Sequence, residues 1–313
     1  MSETTQAELD QGAGFSVYWE FARPFTLLPP LLGFVSGAVT AYGAPPRPDW
    51  STALWLYPLI GCVMAAMLNA SSNAVNQIYD YEIDEVNKPA RPLPSGRLSF
   101  RGAWVFTAAS FVVAMVMAYL VQPVGAPECF IIVAVAAFLA YIYSAPPLRT
   151  KRSGMWANIT IAIPRGILLK VAGWSAVKTV LDPEPWFIGL IFGLYILGAS
   201  STKDFSDIEG DRIGGCRTLP ILYGVEKAAW MIAPFFIVPF LLINLGTAAG
   251  VLTGNALLLH GLGAFLTLYG VYTVYLMLRR PEDLATDANH VSWKHMYLMM
   301  MVGQVGFALA YIL

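Results

Sequence analysis

Two short acidic segments carry the side chains with the clearest chemical potential in this sequence. The first runs Asn-Gln-Ile-Tyr-Asp-Tyr-Glu-Ile-Asp over Asn76–Asp84, and the second runs Lys-Asp-Phe-Ser-Asp-Ile-Glu-Gly-Asp-Arg over Lys203–Arg212. Oxygen ligands suit a hard cation such as Mg²⁺, which commonly bridges protein carboxylates to substrate phosphates. Neither segment contains a histidine or cysteine, which argues against zinc. The two segments therefore predict sites for a divalent hard cation.

The spacing within each segment favours a single ligand face. In the first, an asparagine and two aspartates lie at i, i+4 and i+8; in the second, three aspartates lie at i, i+3 and i+7. On a helix, side chains at these spacings point in nearly the same direction. The alternative is that these acids are solvated charges at helix ends, but two in-phase clusters make that interpretation the weaker one.

Basic residues surround both acidic segments. Lysine and arginine stabilise a diphosphate leaving group as charge develops on it, while metal ions neutralise its other oxygens. The positive-inside rule alone is the competing explanation, and it is sufficient for Arg97, Arg101 and Arg152. Lys88 and Arg91 follow the first segment, and Lys203, Arg212 and Arg217 flank the second. A third group, Arg149 and Lys151, follows the Tyr-Ser-Ala-Pro-Pro stretch that begins at Tyr143.

The composition is that of a membrane protein. Of 313 residues, 57% are hydrophobic and only 12% are charged, and the mean hydropathy is +0.59. Long apolar runs recur along the chain, and backbone groups in lipid must be hydrogen-bonded within each segment. We therefore expect an all-α polytopic protein of nine transmembrane helices around a central cavity. The predicted spans are about 24–43, 52–76, 102–121, 127–144, 156–177, 185–202, 227–247, 256–278 and 293–313.

Loop charges predict the orientation and the domain organisation. The side that holds the N-terminus and the loops after even-numbered spans contains 15 of the 19 lysines and arginines. This asymmetry predicts a cytoplasmic N-terminus and an active site that faces the cytoplasm. Residues 1–20 are polar and predict a disordered cytoplasmic tail, and residues 21–313 predict a single transmembrane domain. Three scattered cysteines predict no disulfide framework, and no nucleic-acid partner is expected.

With these motifs, the sequence resembles the UbiA superfamily of intramembrane prenyltransferases. The first motif is the NxxxDxxxD box at Asn76–Asp84, continued by Asn-Lys-Pro-Ala-Arg-Pro-Leu-Pro-Ser-Gly, and the second is the DxxD-type box at Asp204–Asp211. Arg23-Pro24 and the Tyr-Ser-Ala-Pro-Pro-Leu-Arg stretch at Tyr143–Arg149 give weaker support. The resemblance covers nearly the whole chain.

The resemblance implies Mg²⁺-dependent transfer of a prenyl group from an allylic polyprenyl diphosphate, in a cavity open sideways to membrane lipid. It implies the metal ligands Asn76, Asp80, Asp84, Asp204, Asp207 and Asp211. Among these, the expected catalytic residues are Asp80, Asp84, Asp204 and Asp207. The expected diphosphate contacts are Arg23, Arg91, Tyr143, Arg149, Lys151 and Lys203. Candidate aromatic faces, for which core packing is the commoner role, are Tyr79, Tyr81, Phe205, Tyr195 and Trp174.

The acceptor is predicted less sharply. The first box is similar to the homogentisate branch, whereas the Arg-Pro-Leu-Pro-Ser-Gly that follows is similar to chlorophyll synthases and archaeal lipid prenyltransferases. We expect a small aromatic acceptor, of the hydroxybenzoate or homogentisate type, in quinone or related lipid biosynthesis. Arg165 and Lys170 lie inside an apolar segment loosened by Pro164 and Gly166, where charges are costly and commonly face a cavity. Either residue is a candidate to bind an acidic acceptor. The alternative is that Lys170 extends its charge to the membrane surface, or that either residue pairs with a buried acid.

Three alternatives stay open from the sequence. A terpene cyclase of the same scaffold needs the same acidic boxes. A prenyltransferase for a non-aromatic acceptor, either a tetrapyrrole carboxylate or a glycerol-phosphate lipid, also needs them. A secondary transporter is the least favoured alternative, since both acidic segments are predicted on one membrane face.

Overall fold

The computed structural model describes residues 14–49, 51, 53–286 and 290–313, and all regular elements in these ranges are helical. The all-α class is therefore confirmed. The α-helices are α1 Phe15–Ala22, α2 Leu28–Gly43, α3 Ala53–Tyr79, α4 Tyr81–Asn87, α5 Phe100–Leu120, α6 Glu128–Ser144, α7 Met155–Ala162, α8 Leu169–Trp174, α9 Pro183–Ala199, α10 Ile208–Ile213, α11 Leu219–Tyr223, α12 Val225–Ile232, α13 Val238–Ala248, α14 Ala256–Leu278, α15 Asp283–Thr286 and α16 Val291–Ile312.

Eight apolar helical segments in the described ranges are long enough to cross a membrane. They are formed by α2, α3, α5, α7 with α8, α9, α12 with α13, α14, and α16. The remaining predicted span, 127–144, corresponds to α6, an apolar helix of 17 residues. Every predicted span thus coincides with an apolar helix, and the boundaries agree to within a few residues.

The apolar helices contact one another in a ring. In order around it, α2 packs on α3, then come α6, α7, α9, α13, α14 and α16, and α16 packs back on α2. Such a ring encloses space at its centre while each helix keeps its backbone hydrogen bonds internal. The first and last apolar helices of the chain are consequently neighbours.

The N-terminal segment differs from its predicted structure. Residues 1–13 of the predicted tail 1–20 lie outside the described residues, but helix α1 begins at Phe15. The reason is the aromatic character of this stretch, in which Phe21 is fully buried in a small core with Ile78 of α3. Burial of such a side chain stabilises the helix by about 1.5–3 kcal/mol, which a free tail lacks.

Glycine allows the backbones of α2 and α8 to approach closely. A Cβ added at Gly173 would lie 2.3 Å from the carbonyl oxygen of Phe34 and 2.9 Å from the Cα of Gly37. Small residues at such crossings are how membrane helices gain packing contacts where lipid offers no hydrophobic driving force. The crossing fixes α8, and with it the preceding segment, against the first apolar helix.

We therefore predict that Gly173→Ala destabilises the protein. The new methyl group meets backbone atoms that cannot rotate away, and overpacking of this kind costs about 1–3 kcal/mol. The matched control is Gly261→Ala on α14, where an added Cβ meets nothing within 4 Å. Thermal unfolding in detergent should show a lower midpoint for Gly173→Ala and an unchanged or higher midpoint for the control. Equal shifts in the two variants would contradict the packing argument.

Candidate active site

One cavity of about 490 Å³ receives side chains from both acidic segments. The structure thus brings together two segments that lie more than a hundred residues apart in the chain. The acidic-segment residues that line the cavity are Asn76, Asp80, Asp84, Asp204, Asp207 and Asp211. The two other acids of these segments, Glu82 and Glu209, are exposed.

The first acidic segment keeps its single face although the helix is interrupted. Helix α3 ends at Tyr79, and Asp80 takes φ −101° and ψ 13° before α4 begins. The hydrogen bonds from Asp80 N to Asn76 O, at 2.9 Å, and from Asp84 N to Asp80 O, at 2.8 Å, continue the helical spacing through the break. Asn76 also donates from Nδ2 to Asp80 Oδ2 at 2.8 Å. The predicted shared face is therefore present.

The second acidic segment is not the continuous helix that its spacing predicted. Only Asp211 lies within α10, while Asp204 lies in a turn and Asp207 precedes the helix. Hydroxyl groups compete with the helical pattern here, since Thr202 Oγ1 donates to Ala199 O at 2.7 Å and Ser206 Oγ donates to Lys203 O at 3.0 Å. The turn still directs all three aspartates to the cavity.

The middle aspartates of the two segments have the same backbone conformation. Asp207 takes φ −103° and ψ 12°, within 2° of the values at Asp80, and each residue immediately precedes a short helix. The two short helices, α4 and α10, contact each other, and Gly214 after α10 packs against Ile83 of α4. This matched geometry is that of an internal pseudo-repeat, in which each acidic segment breaks its helix in the same way.

Bases from the surrounding loops pair with the carboxylates. Arg91 pairs with Asp84, and Lys151 pairs with Asp80. Lys88 Nζ lies 3.5 Å from Asp207 Oδ2. Because acids and bases line the same cavity, each partially compensates the burial cost of the other.

Among the residues that the structure describes, no carboxylate lies within ion-pair distance of the other cations at the cavity. Lys203 Nζ lies 5.7 Å from the centre of the Trp293 ring, and burial followed by repulsion from Lys88 lowers its pKa to about 8. Burial, then Arg91 and Arg165, lowers the pKa of Arg23 to about 10. An anion bound among these groups would remove the repulsion, so the arrangement is suited to an anionic ligand.

Two carboxylates at the cavity have raised pKa values, since their charged forms are disfavoured. Burial and then the charges of Asp211 and Asp207 raise the pKa of Asp204 well above its usual range. Burial and then Asp207 raise the pKa of Asp211 to about 6. Within the described ranges, no three Asp, Glu, His or Cys side chains converge on one ion position. Two of the carboxylates, those of Asp80 and Asp84, are paired with Lys151 and Arg91 instead. The oxygen-only donors and their mutual repulsion nevertheless fit a hard divalent cation.

Two predicted binding residues do not line the cavity. Arg149 instead caps α3, donating from Nη2 to Tyr79 O at 2.6 Å, and lies 3.4 Å from Asp80 Oδ1. Lys170 is 2% exposed in the core, where Nζ donates to Ser36 Oγ at 2.8 Å and lies 4.4 Å from the centre of the Phe192 ring. Long side chains reach past their own helix face, so position in the sequence did not reveal these partners.

Arg165, in contrast, does line the cavity. It is exposed and lies in a π-helical turn, Ile163–Leu168, that begins beside Pro164. Proline removes a helical hydrogen bond, and π-bulges are frequent at functional sites. Gly166 in the same turn packs against Gly193, since an added Cβ would lie 2.4 Å from the Cα of Gly193. The turn thus presents a guanidinium to the cavity with no ion pair of its own among the described residues.

The aromatic faces of the cavity are different from those suggested by the sequence. Tyr79, Tyr81, Phe205, Tyr195 and Trp174 are not among its lining residues; Tyr195, for example, is buried and donates to Met296 O at 2.6 Å. Two sequence signals point to some of the lining aromatic residues: Phe25 directly follows Arg23-Pro24, and Trp293 and Tyr297 lie at i and i+4 in the last predicted span. The lining aromatic residues are Phe25, Phe34, Tyr143, Trp293 and Tyr297.

The sequence is similar to those of several synthases. A digeranylgeranylglyceryl phosphate synthase from Methanobrevibacter smithii is 28% identical over 255 residues, covering 80% of this chain and 86% of the relative. The 33 kDa chain of bacteriochlorophyll synthase from Cereibacter sphaeroides is 32% identical over 214 residues, which cover 67% of each chain.

The fold is shared with solved prenyltransferase-family structures. A UbiA homologue from Archaeoglobus fulgidus, solved with DMAPP and Mg²⁺, has a TM-score of 0.72 and 21% identity, covering 93% of this chain and 99% of its own. At that identity the likeness shows the fold alone. The model of the UbiA prenyltransferase family matches residues 27–308, almost the whole chain. This protein therefore belongs to the UbiA prenyltransferase family and is an integral membrane prenyltransferase.

Proposed function

We propose that this enzyme transfers a prenyl group from an allylic polyprenyl diphosphate, bound together with Mg²⁺, to an acceptor in the membrane. The observation that carries the proposal is the joint lining of one cavity by two acidic segments and by cations that lack carboxylate partners. A ligand made of metal ions and a diphosphate matches both halves of this arrangement. The solved relative with DMAPP and Mg²⁺ gives independent support.

In this proposal, Asn76, Asp80 and Asp84 hold one metal ion, and Asp204, Asp207 and Asp211 serve another. When bound, Mg²⁺ supplies neutralisation of the diphosphate oxygens. The carboxylates of this chain would fix its position. In the structure, Asp80 pairs with Lys151 and Asp84 pairs with Arg91, so both bases lie beside the carboxylates that would hold the ion.

The bases that line the cavity are proposed to act on the diphosphate. Arg23, Arg91, Lys151 and Lys203 line the cavity and stabilise the negative charge that develops as the allylic C–O bond breaks. Tyr143 lies beside them, and the apolar and aromatic lining excludes water from the allylic cation. Arg149 contributes indirectly, because it holds the end of α3 beside Asp80.

The proposed acceptor is an anionic, lipid-like molecule and not a ring of the hydroxybenzoate or homogentisate type. The relatives named above are synthases for a glycerol-phosphate lipid and for bacteriochlorophyll, and they favour this alternative over the expected aromatic acceptor. A glycerol-phosphate lipid is the first candidate and a tetrapyrrole carboxylate the second. Arg165 is the proposed anchor, because a guanidinium pairs bidentately with either phosphate or carboxylate.

We further propose nine spans, with α6 as the short one, a cytoplasmic N-terminus and a cytoplasmic active site. The support is the concentration of 15 of the 19 lysines and arginines on one side. Soluble diphosphate head groups and Mg²⁺ then reach the acidic segments directly.

We predict that Asp80→Asn and Asp204→Asn each reduce prenyl transfer by a factor on the order of 10² or more, as for other groups that stabilise developing charge. Glu209→Gln, at an exposed acid of the second segment, is the matched control and should retain activity. Product mass spectrometry with a panel of allylic diphosphates and acceptors, with and without EDTA, measures the effect. Activity that survives both EDTA and Asp80→Asn would overturn the metal–diphosphate mechanism, and a cyclic product without acceptor would identify a cyclase.

We predict that Arg165→Met raises the KM for an anionic acceptor by about 10- to 100-fold, since hydrogen bonds to charged groups contribute about 1.5–3 kcal/mol. The KM for the diphosphate should change little. Lys170→Met is the matched control: it also removes a cation from the same segment, but Lys170 lies outside the cavity lining. If both variants, or neither, alter the acceptor KM, the role of Arg165 is refuted.

The orientation predicts a labelling pattern. Ser95, between α4 and α5, and Ala249, between α13 and α14, are both exposed. In intact right-side-out vesicles, a membrane-impermeant maleimide should label an Ala249→Cys variant at once and a Ser95→Cys variant only after permeabilisation. The background protein should have its own three cysteines replaced. The reverse pattern would invert the topology.

A further inference from the structure

Three amide side chains follow one another along α3, two of them before the acidic box and one within it. Asn69, Asn73 and Gln77 lie at i, i+4 and i+8, and their exposed fractions are 8%, 4% and 2%. Buried amides need hydrogen-bond partners, because each unpaired polar group costs about 1–3 kcal/mol. We call these three residues the amide ladder.

All three amides of the ladder donate to the end of α1 or to the segment that connects α1 to α2. Gln77 Nε2 donates to Phe21 O at 2.8 Å, and Asn73 Nδ2 donates to Ala22 O at 3.1 Å. These carbonyl groups belong to the last turn of α1, where helical acceptors lose their partners. The ladder therefore satisfies a helix end that is interrupted at this point.

The ladder also holds the far side of the interruption. Asn69 Nδ2 donates to Thr26 O at 2.9 Å, and Asn73 Nδ2 donates to Thr26 Oγ1 at 2.8 Å. Thr26 Oγ1 in turn donates to Arg23 O at 2.8 Å. The backbone on both sides of Arg23 is thus fixed to α3.

Arg23 itself has a backbone conformation that requires such support. It takes φ 59° and ψ 66°, in the left-handed region, and Pro24 follows it. A non-glycine residue in this region is strained, and the following proline disfavours the right-handed alternative. Strained residues persist where the surrounding structure holds them, and they cluster at functional sites. The conformation ends α1 and leaves the Arg23 side chain among the residues that line the cavity.

We infer that Asn69, Asn73 and Gln77 are positioning residues, which hold Arg23 in the conformation that presents its guanidinium to the diphosphate. The inference rests on the proposed function, because it gives Arg23 a diphosphate to bind. Because the same helix carries Asn76 and ends directly before Asp80, the ladder fixes the arginine relative to the proposed metal ligands.

Gln77 provides the cleanest test within the ladder. Asn69 and Asn73 line the cavity and could touch a ligand directly, whereas Gln77 does not line it. Gln77 Nε2 has two acceptors, Phe21 O and, at 3.2 Å, Asn73 O in its own helix, so an effect of Gln77 on diphosphate binding is indirect. Its dependence on Arg23 then distinguishes the route through Phe21 from a change in α3 itself. A Gln77→Met variant keeps the side-chain length and removes the donor.

The experiment measures the Kd of inorganic diphosphate and of geranyl diphosphate, each with Mg²⁺, for the full chain in nanodiscs. Gln77→Met should weaken binding by about tenfold, as is typical when a group that orients a ligand-binding residue is lost. Arg23→Met should weaken binding at least as much. In the Arg23→Met background, Gln77→Met should have less than about a twofold further effect, since the two residues act as one unit. The control is Thr273→Val. It removes a buried hydroxyl whose hydrogen bonds, among the described residues, run to Tyr269 O and the Met299 sulfur, and it should leave Kd unchanged.

Equal losses from Gln77→Met in both backgrounds would show a general structural effect and overturn the inference. If Gln77→Met fails to fold, Thr26→Val is the milder variant, and it should show the same dependence on Arg23. Arg23→Met with unchanged diphosphate affinity would also overturn the inference, while a loss of binding in Asp80→Asn would leave the proposed function standing. Failure of the wild type to bind either diphosphate would overturn both.

Discussion

The pairing of buried carboxylates with buried bases is the interaction on which this site depends. Neither set is stable alone at the edge of a membrane, because burial and like-charge repulsion disfavour both charged forms. Asp80 with Lys151 and Asp84 with Arg91 compensate each other in the structure. A ligand that is itself part cation and part anion can replace both partners at once. The charges that would bind the proposed ligand therefore stabilise one another in the structure as it stands.

The positions of those charges are set by breaks in helices more than by the helices themselves. Asp80 and Asp207 share one backbone conformation, Arg23 lies in the left-handed region, and Arg165 lies in a π-helical turn. Each of these four residues lies at an interruption of a regular helix, and the side chain of each lines the cavity. Rigid neighbours, such as α3 with its amide ladder and the crossing of α2 and α8, keep these irregular points in place.

The sequence predicted the features that follow from periodicity and solvent. Apolar runs identified every membrane-length helix, because lipid leaves the backbone few choices, and in-phase spacing identified the two acidic segments that meet at the cavity. The sequence did not predict features that depend on local hydrogen bonding or on how far a side chain reaches. The second segment became a turn because hydroxyl groups compete for its carbonyls, and Lys170 turned into the core toward Ser36. The aromatic lining was missed since it comes from segments brought together only by the ring.

The contact between the first and last apolar helices has a consequence for biosynthesis. Ser36 of α2 donates to the carbonyl oxygen of Gln304 in α16, 268 residues later in the chain, at 2.6 Å. Until α16 is inserted, Ser36, with Lys170 bonded to it, lacks this acceptor and the ring stays open on that side. Both acidic segments precede α16 in the chain, so they are synthesised before the helix that closes the ring on this side. A nascent chain therefore encloses the cavity only once α16 has been inserted between α14 and α2.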